Sequence, residues 1–98
     1  MEVYNAGTSG ELAGSATALQ MPNVPCRMVC FKAQYGNAGR VYIGFSASIT
    51  VAAGTTDTTT GLELSAGDIT PWLPASNLNL FWRICDNAGD DLTYITMG

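Results

Sequence analysis

The residues of this chain that could do chemistry are three cysteines, two groupings of carboxylates and a scatter of aromatic rings, while histidine is missing altogether. Without an imidazole, Ser-His-Asp and Cys-His nucleophile arrangements and His-ligated metals are excluded. Cys26 and Cys30 stand four residues apart, which on an extended strand puts them on one face about 13 Å apart, too far to share an ion or a disulfide. They read as structural thiols, and Cys85 could meet either of them only across a sandwich. Asp86, Asp90 and Asp91 offer the hard oxygen ligands that calcium takes. Their spacing departs from the D-x-[DN]-x-[DN]-G calcium loop, and acidic residues around Asn87-Ala88-Gly89 are ordinary turn formers. Glu63 and Asp68 could act as an acid/base pair, yet a Gly67-Asp68 turn explains the aspartate without catalysis. Tyr4, Tyr35, Tyr42, Trp72, Trp82 and Tyr94 could stack on a sugar ring. The expectation is a protein that is not an enzyme and that holds no cofactor and no metal.

The elements that must position these groups follow from composition. A chain of 98 residues with 47% hydrophobic content makes one core. Only 12% of residues are charged, against about 25% in average soluble domains, and the net charge of −4 removes the basic footprint that phosphate binding requires. Nucleic acid is not an expected partner. Neither a basic and then apolar leader pattern nor a run of about 20 apolar residues occurs, so no membrane association is expected and folding is expected in the cytoplasm. Three cysteines without scaffold density suit a reducing compartment.

Along the chain, residues 1–14 read as a Gly-rich N-terminal arm in which only Val3, Tyr4 and Leu12 offer apolar surface, and residues 15–98 as the domain proper. A first strand is expected within Ser15 to Met21 and a second from Cys26 to Tyr35. Gly36-Asn37-Ala38-Gly39-Arg40 fits a three-residue hairpin loop with glycine in the left-handed position. Closing on Gly36 and Arg40 sets Tyr35 opposite Val41, Ala33 opposite Ile43 and Phe31 opposite Phe45. The same Asn-Ala-Gly device at 87–89, closed on Asp86 and Asp90, sets Ile84 opposite Leu92, Trp82 opposite Tyr94 and Leu80 opposite Thr96. The other side of that pair keeps apolar groups too, among them Phe81, Ile95 and Met97, and a sheet apolar on both faces calls for a second layer or a second subunit. On this register Trp82 and Tyr94 belong to the core, so Trp72 and Tyr42 remain as exposed rings. Strands are expected at Ser46 to Val51 and Gly61 to Leu64, with a Thr-rich loop from Ala52 to Gly61, a tight turn at Ser65-Ala66-Gly67-Asp68 and an edge segment interrupted by Pro71. The expected fold is all-β: a single small antiparallel sandwich, jelly-roll-like, of about seven to eight strands with a flexible N-terminal arm.

Val41-Tyr42-Ile43-Gly44 followed by Thr50, then GLELSAGD at Gly61 to Asp68 and LNLFW at Leu78 to Trp82, resembles the small β-rich structural proteins of tailed bacteriophages. The likeness spans roughly residues 28–96 and rests on motifs alone. It implies a virion component, such as a capsid decoration or cement subunit that binds and stabilises the assembled head. Its partners would be the major capsid protein or other virion proteins. It also implies a homo-oligomer, with a trimer as the candidate order, and no catalytic residue. The interface on this reading would use Val3, Tyr4, Leu12, Phe81, Ile95 and Met97. The Pro-interrupted segment from Ile69 to Pro74 and the Gly-rich start depart from the pattern and leave head, neck and tail positions all open. The alternative is a tail- or fibre-associated β-module that binds host surface glycans. A small calcium-dependent β-module is the third reading. Location in the virion, with the host cytoplasm before assembly, completes the expectation.

Overall fold

The computed structural model describes residues 7–52 and 59–98. Among them, β1 (Ser9–Leu12), β2 (Leu19–Gln20), β3 (Met28–Ala33), β4 (Val41–Gly44), β5 (Leu62–Leu64), β6 (Leu73–Pro74), β7 (Trp82–Cys85) and β8 (Leu92–Met97) form two antiparallel four-stranded sheets. Sheet I runs β1-β8-β3-β6 and sheet II runs β2-β7-β4-β5. Each strand of the first half pairs with its mirror image in the second, β1 with β8, β2 with β7, β3 with β6 and β4 with β5. The pairs β3–β8 and β4–β7 complete the sheets. This is one long hairpin rolled into two layers, the eight-stranded jelly roll, and the expected fold class holds.

Period-two alternation builds the core. Val29, Phe31 and Ala33 of β3 point between the sheets, as do Val41 and Ile43 of β4, and they pack with Leu64, Leu78, Phe81, Cys85 and Leu92. The Phe31 and Phe81 rings meet edge to face, centroids 5.2 Å apart.

The expected strand partners are different. Neither Asn-Ala-Gly turn closes a hairpin, because each carries the chain from one sheet to the other. Phe31 lies opposite Tyr94, Val41 opposite Cys85 and Trp82 opposite Gly44. Phe45, expected opposite Phe31, is 76% exposed, and Tyr35 is 85% exposed. A corner between layers uses the same turn residues as a hairpin, and alternation is satisfied by any neighbour of matching pattern, so local sequence does not separate the two cases. Ser46 to Val51 is not a strand but irregular chain. Residues 9–12, expected within the arm, form the edge strand of sheet I, with Leu12 in the core. Gly14, at the corner after β1, lies so close to Asp90 that a side chain there would overlap the Asp90 carbonyl. Glycine in this segment therefore serves close approach as well as freedom.

Edge strand β6 accommodates Pro71 through a bulge. Lys32 is bridged to Ile69 while Val29 is paired with Leu73, so the edge carries one extra residue between these points. Thr70 repairs the ladder there. Its N–H donates to the Phe31 carbonyl at 2.8 Å, its buried hydroxyl accepts the Phe31 N–H at 2.9 Å, and its carbonyl accepts the Cys30 thiol at 3.2 Å. Thr70→Val keeps the shape but leaves the Phe31 N–H unpaired in the interior, which should cost about 1–3 kcal/mol. Thr70→Ser keeps the acceptor and should lose less than half of that. Urea denaturation of the two variants checks the difference, and equal losses would remove the hydroxyl from the account.

Candidate functional site

The corner between β3 and β4 lies beside the corner between β7 and β8, and the acidic residues bind the two together. The Asp90 carboxylate, 2% exposed, accepts the Ala38 N–H at 2.8 Å, the Gly39 N–H at 3.0 Å and the Asn87 amide at 3.2 Å. The Asn37 side chain donates to the Asp91 carbonyl and accepts the Asp91 N–H, both at 2.8 Å. Asp86 accepts the Arg40 N–H at 2.8 Å and the Tyr42 hydroxyl at 2.9 Å, with the Arg40 Nε at 3.3 Å. Asp91 turns its carboxylate to the Gly14 N–H. The carboxylates that sequence pattern weighed as calcium ligands thus face separate protein donors, and among the described residues no group of three or more His, Cys, Asp or Glu could hold a metal ion. Gly39 does not take a left-handed φ; it is required because a side chain there would lie 2.7 Å from Asp86 Cβ. A positive φ, 86°, is found at Gly67 in the expected tight turn, where Asp68 accepts the Ser65 N–H at 2.9 Å. Glu63 pairs instead with Arg40 at 3.3 Å, so the supposed acid/base pair is divided between a salt bridge and a turn.

Burial pushes the Asp86 carboxyl up, but the Arg40 N–H, the Tyr42 hydroxyl and the Arg40 guanidinium outweigh it and leave it below the usual carboxylate range. The Asp86 hydrogen bond holds Arg40 firmly charged, and burial together with Asp86 raises the Tyr42 hydroxyl. Arg40 also donates to the Ala52 carbonyl at 2.9 Å and lies 5.7 Å from the Tyr42 ring centre. It thereby pins the chain after β4 across the outer face of sheet II, where Ile49 and Ala52 cover Tyr42 and Ile84. Tyr42, expected as an exposed ring, is completely buried. Among the described residues the exposed rings are Tyr35, Phe45 and Trp72. Arg83 points inward from β7 and is buried, which lowers its pKa; its Nε donates to the Ala13 carbonyl at 3.1 Å. Burial raises the Cys85 thiol, and all three cysteines are free.

Sheet I is different on its outer side. Met28, Ile95 and Met97 are exposed there, the last two at 49% and 50%, beside a groove of about 410 Å³ lined by Ser9, Glu11, Cys30, Lys32, Ile69 and Ile95 among others. Of the expected interface residues, Ile95 and Met97 are therefore brought together on this face. Leu12 and Phe81 are not, because both belong to the core, and Val3 and Tyr4 lie outside the described residues. Phe81 instead supports Phe45: the rings are 5.2 Å apart and tilted by 34°. The stack Phe31–Phe81–Phe45 carries the core out to the surface at the end of the sandwich opposite the Asn-Ala-Gly corners. Sequence reasoning missed Phe45 because it follows Gly44 in phase with an apolar strand, and only the end of β4 at Gly44 takes it out of the core.

Comparison of the chain with protein families, with curated proteins and with solved structures returns no match. Among the described residues no helix is long and apolar enough to cross a membrane.

A group whose folded pKa is depressed stabilises the fold above its unfolded value, and that contribution is lost as pH falls through the folded value. Asp86 is such a group. The stability difference between the native chain and Asp86→Asn should therefore be constant from neutral pH to about pH 5 and shrink below about pH 4, the ordinary range of an unfolded aspartate. Urea midpoints across that range check this; a difference that persists at acid pH would show that the carboxylate charge is not what holds the corner.

Proposed function

We propose that this chain is a non-enzymatic structural protein of a tailed-phage particle, a capsid decoration or cement subunit that binds the assembled head and stabilises it. The VYIG, GLELSAGD and LNLFW motifs support the reading as a resemblance, and they fall on β4, on β5 with its turn, and on the helical turn that leads into β7. Jelly rolls recur in viral capsid domains, as they do in lectins, which is support by analogy of fold. The observation that carries the proposal is Phe45: a large ring, 76% exposed, held on a core ring at 5.2 Å. A fixed aromatic anchor costs little ordering on binding and suits a pocket in a partner protein.

Such a subunit works by mass action. Binding only the assembled lattice, it stabilises that lattice by about 2.7 kcal/mol when present at 100 times its dissociation constant. Arg27, Lys32, Arg40 and Arg83 are its only cationic side chains, and Arg40 and Arg83 are engaged within the fold. Attachment should therefore depend on apolar contact more than on charge steering.

Phe45→Ala should reduce occupancy on undecorated heads by at least about tenfold, the scale of a truncated aromatic anchor, while the melting temperature of the free protein barely changes. Co-sedimentation with heads, read by gel, measures the first and calorimetry the second. Decoration by the variant at unaltered affinity would overturn the assignment. Loss of binding to a host-surface glycan array from Tyr35→Ala or Trp72→Ala, with head binding absent in the native chain, would favour the glycan-binding module instead.

A further inference from the structure

The two sheets differ in what lies over them. Sheet II is covered by the chain's own loop, with Ile49 and Ala52 on Tyr42 and Ile84. Ile95 and Met97 on sheet I are about half exposed. The register places Glu11, Thr93 and Lys32 side by side across β1, β8 and β3, and Ser9, Ile95 and Cys30 in the parallel row two residues away. Neighbouring strands lie about 4.8 Å apart, so the backbones at Glu11 and Lys32 stand about 10 Å apart on either side of β8. Among the described residues neither takes part in a salt bridge. The Gln34 amide donates to Glu11 at 2.8 Å, which orients the carboxylate without neutralising it.

We infer that a second copy of this chain occupies the outer face of sheet I, related by a two-fold axis that lies in the interface along β8. Rotation about that axis exchanges the two flanks. Lys32 of each copy then faces Glu11 of the other, while Thr93, Ile95 and Met97 meet their own counterparts near the axis. A two-fold interface requires this kind of self-complementary patch. The charges also select the axis. An axis along β3 would set Lys32 against Lys32, one along β1 would set Glu11 against Glu11, and one across the strands at Ile95 would lay both charges on the methionine row. Twisted sheets pack face to face at about −30°, so the axis runs about 15° from the direction of β8.

The inference goes beyond particle binding and is decided on the free, full-length protein by sedimentation equilibrium over a wide concentration range. The native chain should be a reversible dimer. Lys32→Glu and Glu11→Lys should each weaken it by about 100-fold, since like charges then meet twice in one interface. Combining the two reversals should restore the dimer to within about tenfold of the native constant, a rescue that no structural role of either residue produces. Ile95→Asp, at the axis, should leave a monomer whose melting curve still shows a folded sandwich. A native chain that stays monomeric, a trimer or higher order, or a double reversal as weak as the single ones would overturn the proposal. So would single reversals that lower occupancy on heads without changing sedimentation, because the face would then belong to the lattice.

Discussion

The structure depends on the docking of two corners that share the sequence Asn-Ala-Gly. In a jelly roll β3 pairs with β8 and β4 with β7, so the chain crosses between layers twice, side by side, at one end. At that place the Asp90 carboxylate is buried against two N–H groups of the neighbouring corner, and the Asn37 amide exchanges two hydrogen bonds with Asp91. A buried carboxylate is tolerable only with such partners. The two corners therefore form together or leave a charge stranded. The two corners share a sequence but not their contacts: Asn37 binds across to Asp91, whereas the Asn87 amide donates to Asp90 within its own corner.

From this fixed frame the asymmetry of the molecule follows. Arg40 leaves the same corner and reaches Asp86, Glu63 and the Ala52 carbonyl, so the clasp and the loop over sheet II share one side chain. The apolar outer side of sheet II is thereby enclosed within the chain. Sheet I has its apolar outer residues on β8 and β3, with Glu11 and Lys32 on either side of β8. A chain with few charges thus ties two of its cations to acceptors of its own fold, and its exposed apolar surface includes the sheet I face and the Phe45 end.

Much of this was legible in the residues, and the failures share a cause. Alternation identified β3, β4, β5, β7 and β8 and the inward faces of β3, β4 and β8, Pro71 marked an edge, and the Ser65 to Asp68 turn formed where its residues demanded. On β7 it chose the wrong side, because Arg83 and Cys85 face the core while Trp82 and Ile84 lie under the loop over sheet II. Alternation says which way a side chain points and not which strand lies beside it, so Phe31 was matched with Phe45 when its neighbour is Tyr94. Two rings consequently exchanged roles: Phe45 is exposed and Tyr42 buried. In residues 1–14 the glycines suggested an arm, whereas at Gly14 the absence of a side chain permits contact with the Asp90 backbone. Such a contact spans most of the chain, and no local window contains it. Ile95 and Met97 were recognised as surface because both faces of the final strand carry apolar residues, a signal that needs no register.

A protein that acts by occupying surface has its function written in its copy number. The most direct measurement of the proposed role is quantitative gel or mass-spectrometric counting of this chain, relative to the major capsid protein, in purified tailed-phage particles grown from a genome that carries its sequence. The account predicts a copy number approaching that of the major capsid protein. A handful of copies, or none, would contradict it.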